Sequence, residues 1–151
     1  MAIYHFSVKT VARSAGRSAT AAIAYRAAEK IYCEREGKEH DYSRKTGVEH
    51  KEIFLPDGAP SHLKNREKLW NEVEQRETRK NSTVAREFEI AFPSELNQEQ
   101  RLAMLEELCS KIVERHQVAV DACIHATHTG SGSDERTYHS HILMSTRKST
   151  P

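Results

Sequence analysis

The residues with the clearest chemical potential are histidines. His139 and His141 lie two apart in the alternating stretch Tyr138–Ser145, so an extended strand turns both rings to one face and Ile142 and Met144 to the other. In the preceding stretch Val118, Val120, Ala122 and Ile124 form an apolar face, leaving Asp121, Cys123 and His125 opposite. If the two strands pair as a hairpin, His125 joins His139 and His141 on a shared face. Three imidazoles so placed make an open metal site, with positions left for water and substrate. The H-x-H pair alone reads equally well as two exposed strand residues; the third histidine in phase is what favours a metal. His128 falls out of phase in the following loop, and His40, His50, His62 and His116 have no comparable partners. Neutral ligands would leave the ion's full charge available to a phosphate oxygen as a Lewis acid. Ligand softness admits zinc, copper or nickel as well.

A second reactive group is Tyr25, in the alanine-rich stretch Ala21–Ala28 with Arg17 and Arg26 nearby. Small neighbours allow a large substrate close approach, but a phenol ionises near pH ~10, so attack at neutral pH needs a cation or base beside it. The competing reading is a tyrosine packed at a helix–sheet boundary.

These groups need a scaffold. Alternation over Met1–Thr10 predicts a strand, and the alanine content of Ser18–Tyr32 a helix, capped by Ser14 or Ser18. Cys33–Gly47 is charged and loop-like, followed by a short strand near Glu52–Leu55 and a turn at Pro56-Asp57-Gly58. Leu63, Leu69, Trp70 and Val73 give a helix over about 62–80. Arg86–Pro93 alternates, with Phe88, Ile90 and Phe92 on one side and Glu87 and Glu89 on the other. Asn97 and Gln100 have capping-box spacing ahead of a helix carrying Leu102, Leu105, Cys109, Ile112 and Val113. Strands over Val118–His125 and Tyr138–Ser145 complete the order β, α, β, α, β, α, β, β. This is an α+β fold, a largely antiparallel central sheet of about five strands with helices packed on one face. Thr127–Ser133 is the one stretch of small residues.

Length and composition fit this scaffold. The 151 residues favour one domain, and 23 basic residues nearly cancel 22 acidic ones. Residues 1–28 nonetheless hold Lys9, Arg13, Arg17 and Arg26 and no acid, a basic patch suited to phosphate or simply a solvated face. The longest apolar run, Ala21–Tyr25, is far short of a membrane span. The N-terminus lacks a signal-peptide core, which points to the cytoplasm. Cys33, Cys109 and Cys123 match neither a disulfide framework nor a zinc ribbon and read as reduced thiols. There is no Walker loop, dinucleotide fingerprint or G-x-S-x-G elbow.

The opening MAIYHFSVKT at 1–10, RSAGRSA at 13–19 and AYR at 24–26 resemble the MobA/MobL family of plasmid mobilisation relaxases. The likeness continues through HDYSRK at 40–45, LPDGAP at 55–60, REFEIAFP at 86–93, IHA at 124–126 and HSH at 139–141. It covers nearly the whole chain in the family's motif order. The resemblance implies a metal-dependent single-strand endonuclease and transesterase of the HUH class, a nickase acting at a plasmid's origin of transfer. On that basis Tyr25 is the nucleophile, joined covalently to a 5′ phosphate, and His125, His139 and His141 hold Mn²⁺ or Mg²⁺. Ser140 departs from the motif's usual hydrophobic residue, but it points to the opposite face. Glu87 or Glu89 would orient a ligand histidine or accept the tyrosine proton; two surface glutamates are an equally good account. Lys9, Arg13, Arg17, Arg44 and Lys45 are candidates for the DNA backbone. The implied partners are single-stranded origin-of-transfer DNA and accessory relaxosome proteins. Relaxases commonly continue into further domains, so residues 1–151 are expected to be a single N-terminal relaxase domain of a longer protein.

Other readings use the same residues. A rolling-circle replication initiator shares the chemistry, but there the histidine motif usually precedes the tyrosine. A non-catalytic nucleic-acid-binding module would keep the histidines for a structural metal. A metal hydrolase without covalent catalysis would stay active as Tyr25→Phe.

Overall fold

The structure is a computed structural model and describes residues 5–77, 79, 82–128 and 136–147. Seven strands and three α-helices follow one another as β1 (His5–Ala12), α1 (Ala19–Ala27), β2 (Lys30–Cys33), β3 (Lys38–Asp41), β4 (Val48–Phe54), α2 (Arg66–Arg76), β5 (Thr83–Ala91), α3 (Gln98–His116), β6 (Val120–His128) and β7 (Arg136–Ser145). Five strands form one sheet in the order β1-β5-β7-β6-β4, and every neighbouring pair is antiparallel. The α+β class and the five-stranded antiparallel sheet agree with the expectation.

The helices do not all lie on one face, as the sequence pattern suggested. Ile23, Ala24, Leu69 and Trp70 of α1 and α2 pack with Ile53 and Leu143 on one side. Leu105, Cys109, Ile112 and Val113 of α3 pack with Val120, Ala122, Ile124, Ile142 and Met144 on the other. The central strand β7 shows the reason: Ile142, Leu143 and Met144 are consecutive, apolar and all buried, as a strand covered on both faces requires.

Local departures have equally local causes. Helix α1 starts where expected, with the Ser18 hydroxyl accepting from the Ala21 amide at 3.1 Å. It stops at Ala27 rather than Tyr32, because Ala28 takes a left-handed conformation (φ 54°) and Ile31 and Cys33 turn inward at a spacing of two. The end of the stretch read as helix and the start of the stretch read as loop therefore form the β2–β3 hairpin, whose exposed strand residues are charged apart from Tyr32. The second helix spans only Arg66–Arg76, capped by Asn65 and preceded by a 3-10 turn at Ser61–Lys64. Both arms of the α3 capping box form, at 2.9 and 2.8 Å. Strand β6 runs on through His128, which the sequence had placed in a loop; most of the stretch up to Ser133 lies outside the described residues, as do Met1–Tyr4. All three cysteines are buried and free. No helix among the described residues is long and apolar enough to cross a membrane.

Candidate active site

The β6–β7 hairpin forms in the register that alternation required. Cys123 lies opposite His141 and His125 opposite His139, on the face of the sheet that α1 and α2 cover. Ser140 is buried on the other face, across from Ile124 and Ile90, and does not disturb the histidines.

His125 and His141 converge. Their rings stack with centroids 4.7 Å apart, and their Nε2 atoms face each other at 2.9 Å. The orientation of His141 is fixed from behind, since its Nδ1 donates to Oε2 of Glu87 at 3.0 Å. A carboxylate on one ring nitrogen leaves the other with its lone pair outward, the arrangement found behind metal-bound histidines. Burial, reinforced by the charges of His141, His139 and Lys45, pushes the His125 pKa down to about 4, so the ring is neutral and able to ligate near pH 7. Two Nε2 atoms facing each other at hydrogen-bond distance can share a cation once the proton between them is lost, and the donor chemistry fits a divalent ion. The His139 ring lies alongside, 5.6 Å from that of His125. Among the described residues no three His, Cys, Asp or Glu side chains are gathered closely enough to form a metal cluster as they stand.

Glu87 is the hinge of the site. It is 1% exposed, and a buried carboxylate requires partners. Besides His141 it receives Arg26, whose Nε meets Oε2 and whose Nη2 meets Oε1 at 3.1 Å. Burial alone would raise its pKa, but hydrogen bonds from His141 and Arg26 and the Arg26 charge hold it at about 2. So acidic a carboxyl makes a poor proton acceptor, and of the two roles open to it, orienting His141 suits it. Glu89 pairs instead with Lys9 at 3.2 Å. Burial works against its ionisation, and the Lys9 hydrogen bond with nearby positive charge prevails to lower its pKa.

Tyr25 projects from the last turn of α1. Its helix buries Ala19, Thr20, Ile23, Ala24 and Ala27, whereas Tyr25 is 51% exposed, so it is not packed at the helix–sheet boundary. Its ring meets Tyr42 edge-on at 5.2 Å, and Lys45 Nζ sits 3.7 Å above its centroid. The next residue is Arg26, so one turn of helix carries both the exposed phenol and the arm that reaches Glu87.

The five candidate DNA contacts separate. Lys9 and Arg17 line a groove of about 590 Å³ beside α1, together with Arg26, Lys38 and Tyr42. Arg44 is exposed on the following loop. Arg13 is a correction. Its side chain is 6% exposed, and it donates to the Glu74 carboxylate and to backbone carbonyls of Glu74, Glu77 and Arg79. A guanidinium so enclosed has no face left for a phosphate. Lys45 is turned inward to Tyr25, as above. Arg26 was noticed in the sequence only as a charge near Tyr25; its partner Glu87 is 61 residues away, and no spacing rule links them.

The MobA/MobL family matches residues 17–151. The chain belongs to the MobA/MobL family. Curated relatives include "Mobilization protein MobL" of Acidithiobacillus ferridurans, 46% identical over 85% of this chain and 33% of that protein. "Conjugal transfer protein TraA" of Rhizobium radiobacter is 39% identical over 79% of this chain and 11% of that one. A solved structure described as "Molecular Basis of Vancomycin Resistance Transfer in Staphylococcus aureus" superposes with a TM-score of 0.84 at 35% identity, over 97% of this chain and 71% of the other. This MobA/MobL chain thus spans a third or less of the length of these two curated relatives.

Proposed function

We propose that the chain nicks and rejoins one strand of plasmid origin-of-transfer DNA through a covalent 5′-phosphotyrosine on Tyr25, initiating mobilisation. The observation that carries this reading is the continuous path from the exposed Tyr25, through its neighbour Arg26 and the buried Glu87, to the facing imidazoles of His141 and His125.

In the forward step Tyr25 Oη bonds to the scissile phosphorus, the bond from phosphorus to the 3′ oxygen breaks, and the phenolic proton is lost as the 3′ hydroxyl gains one. Reversal by a DNA 3′ hydroxyl restores the strand, because a phenolate is a moderate leaving group. His125, His141 and His139 would hold the divalent ion, Mn²⁺ or Mg²⁺. When bound, that ion supplies Lewis-acid stabilisation of the charge gathering on the phosphate oxygens. Glu87 keeps His141 in the ligating tautomer, and Arg26 keeps Glu87 ionised. Lys9, Arg17 and Arg44 hold the single-stranded backbone along α1, where contacts position the strand without reading its bases.

The test incubates the chain with Mn²⁺ and single-stranded oligonucleotides tiling the cognate plasmid's transfer origin, followed by denaturing electrophoresis. A protein–DNA adduct with one of them, lost in Tyr25→Phe, is the expected result. Cleavage without an adduct, retained in that variant, would mean a hydrolase. Binding without cleavage at any tile would leave a nucleic-acid-binding module with a structural metal.

A further inference from the structure

The end of α1 is docked in an unusual way. The last four carbonyls of any helix lack intrahelical donors. Here Ala24 O is satisfied by the backbone amides of Ala28 and Glu29. The other three each take a side chain from outside the helix. Lys45 Nζ donates to Tyr25 O at 2.9 Å, Cys123 Sγ to Arg26 O at 3.2 Å, and Lys51 Nζ to Ala27 O at 3.2 Å. Lys51 is on β4, Cys123 on β6 two residues before His125, and Lys45 on the loop leading into β4. That loop is itself pinned to β6, where the Ala126 amide donates to Gly47 O at 2.9 Å.

Lys45 differs from the other two because it holds the Tyr25 ring as well as its carbonyl. The ammonium stands 3.7 Å over the ring centroid, while Tyr42 abuts the ring at a right angle. A cation on one face and an aromatic edge restrict the rotamers of a half-exposed side chain that would otherwise sample several. Lys45 is two residues before Gly47, whose carbonyl is held by the amide of Ala126, the residue after His125, so the clamp is tied to the histidine strand.

We propose that Lys45 is a positioning residue for Tyr25, fixing its ring and backbone relative to the histidine strand, rather than a contact to the DNA backbone. The proposal rests on the covalent reading of Tyr25 and adds to it the group that aims the nucleophile. Near-attack geometry is sensitive: a misplacement of about 1 Å can cost up to about a hundredfold in rate.

The test compares Lys45→Met, which keeps the stem and loses the charge and donor, with Lys45→Arg, which restores both. Single-turnover adduct formation at saturating DNA should fall by about tenfold or more in Lys45→Met and recover most of that in Lys45→Arg. DNA affinity, measured in a Tyr25→Phe background, should stay within about threefold, since one cation is a minor share of a phosphate-dominated interface. In the free protein, the ring resonances of isotope-labelled Tyr25, assigned by their loss in Tyr25→Phe, should shift in Lys45→Met and return in Lys45→Arg. A loss seen in affinity but not in the saturated rate would make Lys45 a backbone contact. Unmoved ring resonances, or an unchanged saturated rate, would equally overturn the proposal. If the parent chain forms no adduct, the covalent reading fails by itself, while the ring resonances still report whether Lys45 holds Tyr25.

Discussion

Glu87 is the residue on which the most interactions of the site converge, and its energetics are testable without DNA. Its carboxyl lies at about 2 in the folded chain against an ordinary 4.5. A depressed carboxyl pKa contributes stability that is present above the unfolded value and lost as pH falls through the folded one. The window is therefore about pH 4.5 down to 2, and the full loss is about 3 kcal/mol. His125 adds to it from higher pH. Its pKa drops from 6.5 to about 4, so the unfolded chain binds the proton first and stability declines as pH falls between those values. Thermal melts from pH 7 to 3 should show a continuous decline. In Glu87→Gln the part below pH 4.5 should flatten; an unchanged acid limb would mean Glu87 is not held by Arg26 and His141.

The same residues govern metal binding. Saturating Mn²⁺ at about a hundred times its dissociation constant should stabilise the folded chain by about 2.7 kcal/mol, raising Tm by roughly 5–10 °C at this chain length. His141→Ala should abolish most of that rise, and His139→Ala should reduce it if that ring joins the ion. An equal Tm rise in both variants would place the metal elsewhere.

At the scale of elements, the placement of α1 depends on a charge buried beneath its start. Glu74 of α2 is 1% exposed. It accepts from the Ala19 amide at 2.9 Å, from Arg13 at 3.2 Å and from Arg35 at 2.9 Å. One carboxylate thus ties the turn before α1, the β2–β3 hairpin and α2 together. Glu74→Ala leaves Arg13 enclosed without a counter-charge and should cost about 3–5 kcal/mol, a fall in Tm on the order of 10 °C. A loss under 1 °C by calorimetry would contradict that role. Elements were legible in the sequence where period and burial coincide. Val118–Ile124 and Tyr138–Met144 alternate because one face of each is apolar, so their pairing and the shared histidine face followed. The β2–β3 hairpin was missed because Lys38, Glu39 and Asp41 stay exposed and only Ile31 and Cys33 point inward. Helices on both faces were signalled by the unbroken apolar run Ile142–Met144, which the search for alternation passed over.

For the whole molecule, the near-neutral total conceals a local excess of cations beside α1, where Glu36 is the acid among the groove's lining residues. The groove beside α1 gathers Lys9, Arg17, Arg26 and Lys38, with Arg44 exposed nearby. Neutralising Lys9, Arg17 and Arg44 together should flatten the salt dependence of single-strand binding by roughly 0.7 slope units per lost contact, about two in all. Affinity should fall alike for origin and unrelated sequences; a loss confined to origin DNA would mean that these side chains read bases. Arg13 does not belong to this set, and its substitution should lower Tm instead of the slope. Sequence could not make that distinction, because an arginine in a basic stretch looks the same whether phosphate or a buried carboxylate awaits it. Tyr25 and the histidines were legible together only through the family resemblance, since Tyr25 meets the histidine strands by folding and not by any spacing along the chain.

Peptide mapping of the adduct reads out the covalent role of Tyr25. The chain is reacted with origin oligonucleotide and Mn²⁺, digested with protease and nuclease, and analysed by mass spectrometry for a nucleotide-modified peptide. A single modified peptide is expected, with the 5′-phosphoryl nucleotide on Tyr25. The same mass on Tyr32, Tyr42 or any other residue, or a cleaved oligonucleotide with no modified peptide, would contradict it.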